Sequence, residues 1–560
     1  MKVSTFAIRV RASVCRRIRD PDRPRRDETR RDEKKKKKKK KQKQKQQKPR
    51  ERRPRVRAAA AMFHVAHLGD LWAATGASTW LPCALLALAL TRALWAFRWR
   101  LTRDPRNPLP LPGGSMGWPV VGETLHWLVQ GSDFHVCRRR RHGNVFKTHL
   151  LGKPVIRVTG AENIRKILMG EHSLVCTQWP QSTRIILGPN TLVNSTGDAH
   201  KRKRKVLAKV FSRGALESYL PRLRDVVRRQ VAEWCARPDA VDVYAAAKSL
   251  TFRIAVGVLL GLQLDEERVV YLGAVFEQLM DNLFSLPFDA PLSGLRKGIR
   301  AREILHANME KIIAEKMEQR RDEHLDAFDY MLSGAKEHGQ DLSIQELKET
   351  AVELIFAAHS TTASASTSLL LQLLCHPAVV RRLKAELDSE GLTSTGEGGE
   401  GLRAHLSLDE MSRLRYLDCV IKEVLRFLPP VSGGYRTALQ TFELDGYQVP
   451  KGWSVMYSIR DTHETAAVFR APELFDPERF GPDRAENRSS RFSYVPFGGG
   501  LRSCVGKELA QIVLKTLAVE LVATCKWTLA TRDFPKMQTV PIVHPVNGLH
   551  VRFTQNQQLS

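Results

Sequence analysis

Apolar residues recur at helical spacing over residues 161–170, 199–211, 215–235, 243–263, 300–320, 344–374, 377–388, 409–428 and 506–524. That period belongs to helices with one face turned inward. Short strand-like runs stand at 144–149, 154–159, 439–449 and 453–458, and "ELDGYQVPKGW" has the look of a hairpin. The stretch "SEGLTSTGEGGEGLRAHLS" reads as loop, and no internal repeat is present. Many long helices with few short strands predict one large, mainly α domain with a minor β part over residues 120–560.

Upstream of that domain the pattern changes. Leu71 to Leu90, "LWAATGASTWLPCALLALAL", holds no charged residue and is long enough to span a bilayer core. Pro82 and Gly76 weaken a soluble helix but are tolerated in a membrane one. Trp72, Trp95 and Trp99 suit the interfaces. Arg92, Arg98, Arg100 and Arg103 follow, which by the positive-inside rule places the body in the cytosol. A cleaved signal peptide is the rival reading, for which the apolar run is long. The Pro- and Gly-dense "DPRNPLPLPGGSMGWPVVG" then reads as a stiff linker. The expected organisation is a basic tail at 1–61, a single transmembrane anchor with its flank at 62–104, a linker at 105–119 and the main domain from 120.

Charge sharpens the division. The net charge is +31 over 560 residues, but residues 1–61 alone carry 27 Lys and Arg against 7 Asp and Glu. The rest carries 63 against 52 and is only moderately basic. The tail is too polar to bury a core and is expected to be disordered. It reads either as a tether for an anionic surface or as an upstream extension of the gene model, with Met62 as the working start. A nucleic-acid-binding protein needs basic residues interleaved with aromatics on a folded face, and the tail has one aromatic, Phe6. The nine cysteines are scattered without a C-x-x-C, which argues for reduced thiols and against a disulfide framework or a zinc site.

The chemistry concentrates in "RFSYVPFGGGLRSCVGKELA", Arg491 to Ala510. Phe497, Gly500, Arg502, Cys504 and Gly506 spell F-x-x-G-x-R-x-C-x-G. A cysteine opening a helix sits where partial positive charge and free N–H groups stabilise a thiolate. The glycines admit backbone near a bulky flat ligand. Phe497 can shield the sulfur, and Arg502 can pair with a ligand carboxylate.

This stretch resembles the cysteine-ligand loop of the cytochrome P-450 superfamily, and further matches fall in the family's order. "YLDCVIKEVLRFLPP" supplies the E-x-x-R pair, Glu423 and Arg426, and "FDPERF" supplies Arg479. The resemblance makes these three a charged triad supporting the loop. "LIFAAHSTTASAST" resembles the oxygen-binding helix, with Thr361 at the threonine that serves the iron-bound oxygen. Ser360 replaces the usual acid and Ala358 the usual glycine, so a hydroxyl and bound water would carry protons. "AHKRKRKVLAKVF" resembles the W-x-x-x-R helix, with His200 in place of Trp and Arg204 at the arginine; the charge on His200 is expected to depend on pH. With Arg436 and Arg502, these residues are implied to bind the haem propionates, and Cys504 to ligate the iron. The family docks its reductase on the cysteine-side face, where Lys201, Arg202, Lys203 and Lys205 read as docking charges or as a solvated helix face.

Segments such as "GNVFKTHLLGKPVIRVTGAENIRKILMGEH" and "VSGGYRTALQTFELDGYQVPKGWSVMYSIRDTH" narrow the resemblance to family 26, the retinoic acid hydroxylases, and to its C-type branch, over about 62–555. This implies a P-450 fold holding haem b. It implies hydroxylation of all-trans-retinoic acid, with molecular oxygen and electrons from NADPH through a reductase. It also implies an endoplasmic reticulum membrane location with the domain facing the cytosol. Trp179, Phe284, Phe288, Phe356, Val431 and Ser432 are the substrate candidates, each equally readable as core; Arg184 is a candidate for the retinoid carboxylate. The alternatives are a monooxygenase of another lipid, such as a sterol, and a non-catalytic haem or lipid carrier.

Overall fold

The computed structural model describes residues 63–319, 326–339, 341–394, 401–402 and 406–556. The expectation for the tail at 1–61 lies outside the described residues. The chain divides into two bodies at Arg98 and Trp99, and each is described by itself. Around the smaller one, the predicted anchor falls within helix α1, Phe63–Leu101, which continues through Pro82. Leu85, Leu86, Leu88, Leu90 and Leu94 are exposed along it. Among the described residues no single helix is long and apolar enough to cross a membrane.

The larger body is mainly helical, and the elements that matter to the site are few. They are α2 (Ala161–Met169), α3 (Gly197–Val210), α4 (Arg213–Ala236), α5 (Val243–Arg253), α6 (Glu266–Asn282), α7 (Gly294–Gln319), α8 (Ile344–Cys375), α9 (Arg415–Phe427) and α10 (Lys507–Thr524). A five-stranded sheet uses β1 (Val145–Leu150), β2 (Lys153–Val158), β3 (Val175–Thr177), β4 (Gly433–Ala438) and β5 (Ser454–Ser458), in the order β1-β2-β5-β4-β3. Its register sets Thr177 opposite Arg436, an alignment that matters below. The expected hairpin forms, with Phe442–Leu444 paired to Tyr447–Val449 across Asp445 and Gly446.

Helix α8 runs through the core. A capping box starts it, Ser343 Oγ accepting from the Glu346 N–H and the Glu346 carboxylate accepting from the Ser343 N–H, each at 3.2 Å. Residues Ala363 to Leu373 are buried without a break, as a helix flanked on all sides requires. Small residues from Ala363 to Ser368 let neighbouring elements approach closely.

Four expectations change. The helix expected over 243–263 ends at Arg253 and passes into wider π-type turns at Ile254–Leu259. The one expected over 409–428 is two helices, Leu408–Arg413 and α9. Helix α6 is additional; its Val-Val-Tyr run and Gly273 weaken local propensity, and packing of Leu272, Phe276 and Leu279 overrides it. The Pro/Gly-rich linker is no free spacer. The fully buried Gln448 side chain donates to the carbonyls of Asn107 (3.2 Å) and Leu109 and accepts from the Asp104 N–H (2.8 Å), which docks the segment on the domain.

Candidate active site at the cysteine loop

Residues 497–506 form a tight loop ahead of α10. Gly500 has φ +64°, and a Cβ there would lie 2.2 Å from the Leu168 carbonyl oxygen at the end of α2. Only glycine fits, for backbone packing as much as for any ligand. The Cys504 N–H donates to the Phe497 carbonyl at 2.9 Å, closing the loop. Helix α10 begins at Lys507, so Cys504 precedes its first turn. Cys504 keeps accessible surface. Burial pushes it up from its ordinary pKa, against the Gly506 N–H, Arg204 and Lys507.

The implied propionate residues converge, with an unforeseen partner. Glu171, in the turn after α2, is buried and pairs with Arg436 Nε at 2.8 Å and Arg502 Nε at 3.2 Å. Arg502 also donates to the carbonyls of Leu192 (3.1 Å) and Ser195. That segment is held in turn by Glu353 of α8, which accepts the Leu192 and Val193 N–H groups at 2.7 Å. Burial pushes Glu353 up to about 7. Arg204 donates to Ser503 Oγ at 3.0 Å, beside Cys504. His200 is 1% exposed, and neither ring nitrogen has a hydrogen-bond partner. Desolvation, with Arg502, His172 and Arg204 nearby, pushes it down to about 4. At this position burial and the neighbouring cations disfavour the charged ring.

Glu423, Arg426 and Arg479 meet in the interior, all essentially unexposed. Arg426 grips Glu423 with two bonds, 2.7 and 2.8 Å, and Arg479 Nε reaches Glu423 at 3.2 Å. Beyond the three, Arg479 pairs with Glu486 at 2.9 Å, Glu486 with Arg484, and Arg484 with Asp476. His463 joins this helix to the cysteine loop. Its Nδ1 faces the Arg426 carbonyl (3.2 Å) and its Nε2 accepts the Val495 N–H (2.9 Å). Burial holds it neutral, down to about 3.

Within the stretch of α8 from Ala351 to Leu373, burial lapses around Ala357. Ala357 is exposed, with Phe356, Ala358 and Thr361 half-buried, in an otherwise buried stretch. Thr361 Oγ1 donates to the Ala357 carbonyl at 2.7 Å. Ser360 does not stand alone as an acid substitute: its hydroxyl contacts His359 Nδ1 at 3.0 Å, and His359 Nε2 lies 3.2 Å from Glu277 of α6. Burial pushes His359 down to about 3.

The substrate candidates separate. Trp179 and Phe356 pack edge to face, ring centroids 6.3 Å apart. Phe284 and Phe288 are 51% and 56% exposed between α6 and α7, not enclosed as a closed apolar wall requires. Val431 is exposed at 38%. Ser432 spends its hydroxyl on the Thr539 carbonyl at 2.7 Å, and Arg184 lies exposed on a short helix. Sequence reading missed Glu171, Glu353 and His463, which no motif marks and whose partners lie far along the chain, and it missed that His359, inside the oxygen-helix motif, links Ser360 to Glu277. A glutamate or histidine inside an otherwise apolar stretch was the one available signal.

The residues fit the haem that the resemblance implies. Arg436 and Arg502 face one carboxylate and Arg204 stands beside the cysteine loop at Ser503, leaving a surplus of positive charge suited to two propionates. The orphaned His200 nitrogens want a polar partner in place of water. Cys504 offers a soft sulfur ligand beside them.

A model of the cytochrome P450 family matches residues 112–552. The chain is 61% identical over 494 residues to human cytochrome P450 26C1, covering 85% of this chain and 95% of that protein. It is 57% identical over 470 residues to human cytochrome P450 26B1, covering 84% and 91%. Among solved structures it is similar to retinoic acid bound cyanobacterial CYP120A1, with TM-score 0.73 and 36% identity, over 80% of this chain and 100% of that one.

Proposed function

The chain belongs to the cytochrome P450 family, and from that premise we propose that it is a haem-thiolate monooxygenase hydroxylating all-trans-retinoic acid and related retinoids. Its co-substrates are molecular oxygen and electrons from NADPH, delivered by a reductase. The observation that carries the reading is the cluster of Arg204, Arg436, Arg502 and His200 around the Cys504 loop. The retinoid assignment draws on the 26C1 and 26B1 relatives and on the solved neighbour with retinoic acid bound. These do not favour a sterol oxidase or a non-catalytic carrier.

A bound haem supplies oxygen activation at its iron. The protein does the rest. Cys504 Sγ is the ligand, with its backbone fixed by the bond to Phe497. The arginines and His200 hold the carboxylates. Thr361 Oγ1, beside the break in burial on α8, is held in place by its bond to the Ala357 carbonyl and would relay a proton there through its exposed lone pairs. Trp179 and Phe356 give a rigid apolar corner that orients a conjugated hydrocarbon and excludes water. Burial of such a chain contributes about 25 cal/mol per Å².

The reading extends to location. The uncharged run Leu71–Leu90, the arginines after it and the exposed leucines of α1 support an anchor in the endoplasmic reticulum membrane with the domain in the cytosol. Phe284, Leu286, Phe288 and Leu292, all more than half exposed, support a second contact with lipid. The exposed Lys201, Arg202 and Lys205 of α3 support docking of an acidic reductase.

The test incubates the full chain with reductase, NADPH and a panel of retinoids, sterols and fatty acids. Retinoic acid oxidised on its ring is the expected product. Good turnover of sterols or fatty acids with retinoic acid untouched would sink the substrate assignment and leave the monooxygenase standing. Cys504→Ala should abolish the red-shifted carbon monoxide band of a thiolate haem.

A further inference from the structure

Glu171 belongs to no motif, yet it organises the cluster. Its Oε2 pairs with Arg436 Nε (2.8 Å), and its Oε1 with Arg502 Nε (3.2 Å). Oε1 also accepts the backbone N–H of Thr177 at 3.0 Å, the residue opposite Arg436 across β3 and β4. One buried carboxylate thus ties the sheet to the cysteine loop. Arg502 turns its Nε edge to Glu171 in a hydrogen bond, and Arg436 is held against the same carboxylate by charge, its Nε at ion-pair distance without a hydrogen bond.

The remaining donors can be counted. A guanidinium has five N–H groups. Beyond Glu171, Arg436 donates Nη1 to the Tyr435 carbonyl at 2.9 Å, and Arg502 donates to Leu192 and Ser195. Arg204 is close enough to act on Arg502 electrostatically, as is Arg436. Counted over the guanidiniums of Arg204, Arg436 and Arg502 and the carboxylate of Glu171, the formal charge is three positive against one negative. The site is left with two positive charges.

We infer that Glu171 is a positioning residue that sets the charge of this site. It orients Arg436 and Arg502 and trims the surplus to the two charges that a ligand with two carboxylates neutralises. The inference rests on the haem reading above, in which those carboxylates are the propionates.

The test uses the full-length haem-loaded protein, and each variant must first show the thiolate carbon monoxide band. Glu171→Gln keeps shape and removes the negative charge, so the haem midpoint potential should move to a more positive value. Arg436→Gln removes a positive charge and should move it to a more negative value. The double variant restores the balance and should return to the parent potential. Glu171→Asp keeps the charge with a shorter reach; it should hold the parent potential but lose haem to apomyoglobin several-fold faster. An unchanged potential in Glu171→Gln with its band intact overturns the inference. So does a double variant that keeps the shift of either single one. If Glu171→Gln fails to fold, a shifted potential in Glu171→Asp overturns it. Absence of the band from the parent protein removes the haem reading itself and the inference with it.

Discussion

Two buried ionic clusters serve the cysteine loop, and they are built to opposite rules. Around Glu423 six charges alternate: Arg426, Glu423, Arg479, Glu486, Arg484 and Asp476. Three cations meet three anions, and every guanidinium is spent on a carboxylate or carbonyl. Around Glu171 two cations meet one anion with Arg204 close by at Ser503, and the His200 ring nitrogens have no hydrogen-bond partner. A closed, neutral chain has nothing left to offer a ligand and acts as scaffold. An open cluster with surplus charge costs stability until something binds, and so marks the site.

The largest test of this contrast is Glu423→Ala. It strands Arg426 in the interior and leaves Arg479 with Glu486 as its one carboxylate, and should cost about 3–5 kcal/mol in denaturant unfolding, with little haem retained. Normal stability in that variant would erase the distinction.

Arg204→Gln, in the open cluster, should do the reverse. Unfolding of the haem-free chain should change by about 1 kcal/mol or less, because the cluster already holds excess positive charge. Haem transfer to apomyoglobin should become at least several-fold faster.

Acid should discriminate more finely. The folded-state pKa of His200 is depressed, to about 4 from an ordinary 6.5. The unfolded chain binds the proton more readily between those values, so His200 stabilises the fold above about 6.5 and loses that contribution as pH falls toward 4. In the haem-free chain, His200→Gln should flatten the stability profile over that window. Equal slopes in parent and variant would show that the ring is not held neutral.

Thr361→Ala should change stability least. Its bond to Ala357 lies within its own helix turn, and a buried network does not depend on it. Electrons should divert to hydrogen peroxide while haem and retinoid binding persist. The ratio of product to NADPH consumed is the measurement, and Ser360→Ala, whose partner is His359, should lower it less.

The sequence by itself determined the mainly helical class, because the apolar repeat of helices such as α3, α4, α8 and α10 is local and survives any packing. It also determined the cysteine loop, because Phe497 to Gly506 is one short segment whose spacing is its geometry. The pairing of Glu423 with Arg426 was legible for the same reason, being one helical turn. Only tertiary structure decided the rest. Glu171 reaches Arg436 through the register of β3 on β4, and Arg502 through the packing of the cysteine loop on α2; neither is encoded in spacing. Exposure of Phe284 and Phe288, the neutrality of His200 and the turning of Ser360 toward His359 depend on what distant elements bring alongside. Local periodicity writes the elements into the chain, whereas charge, burial and hydrogen-bond partners are properties of neighbours that only the fold supplies.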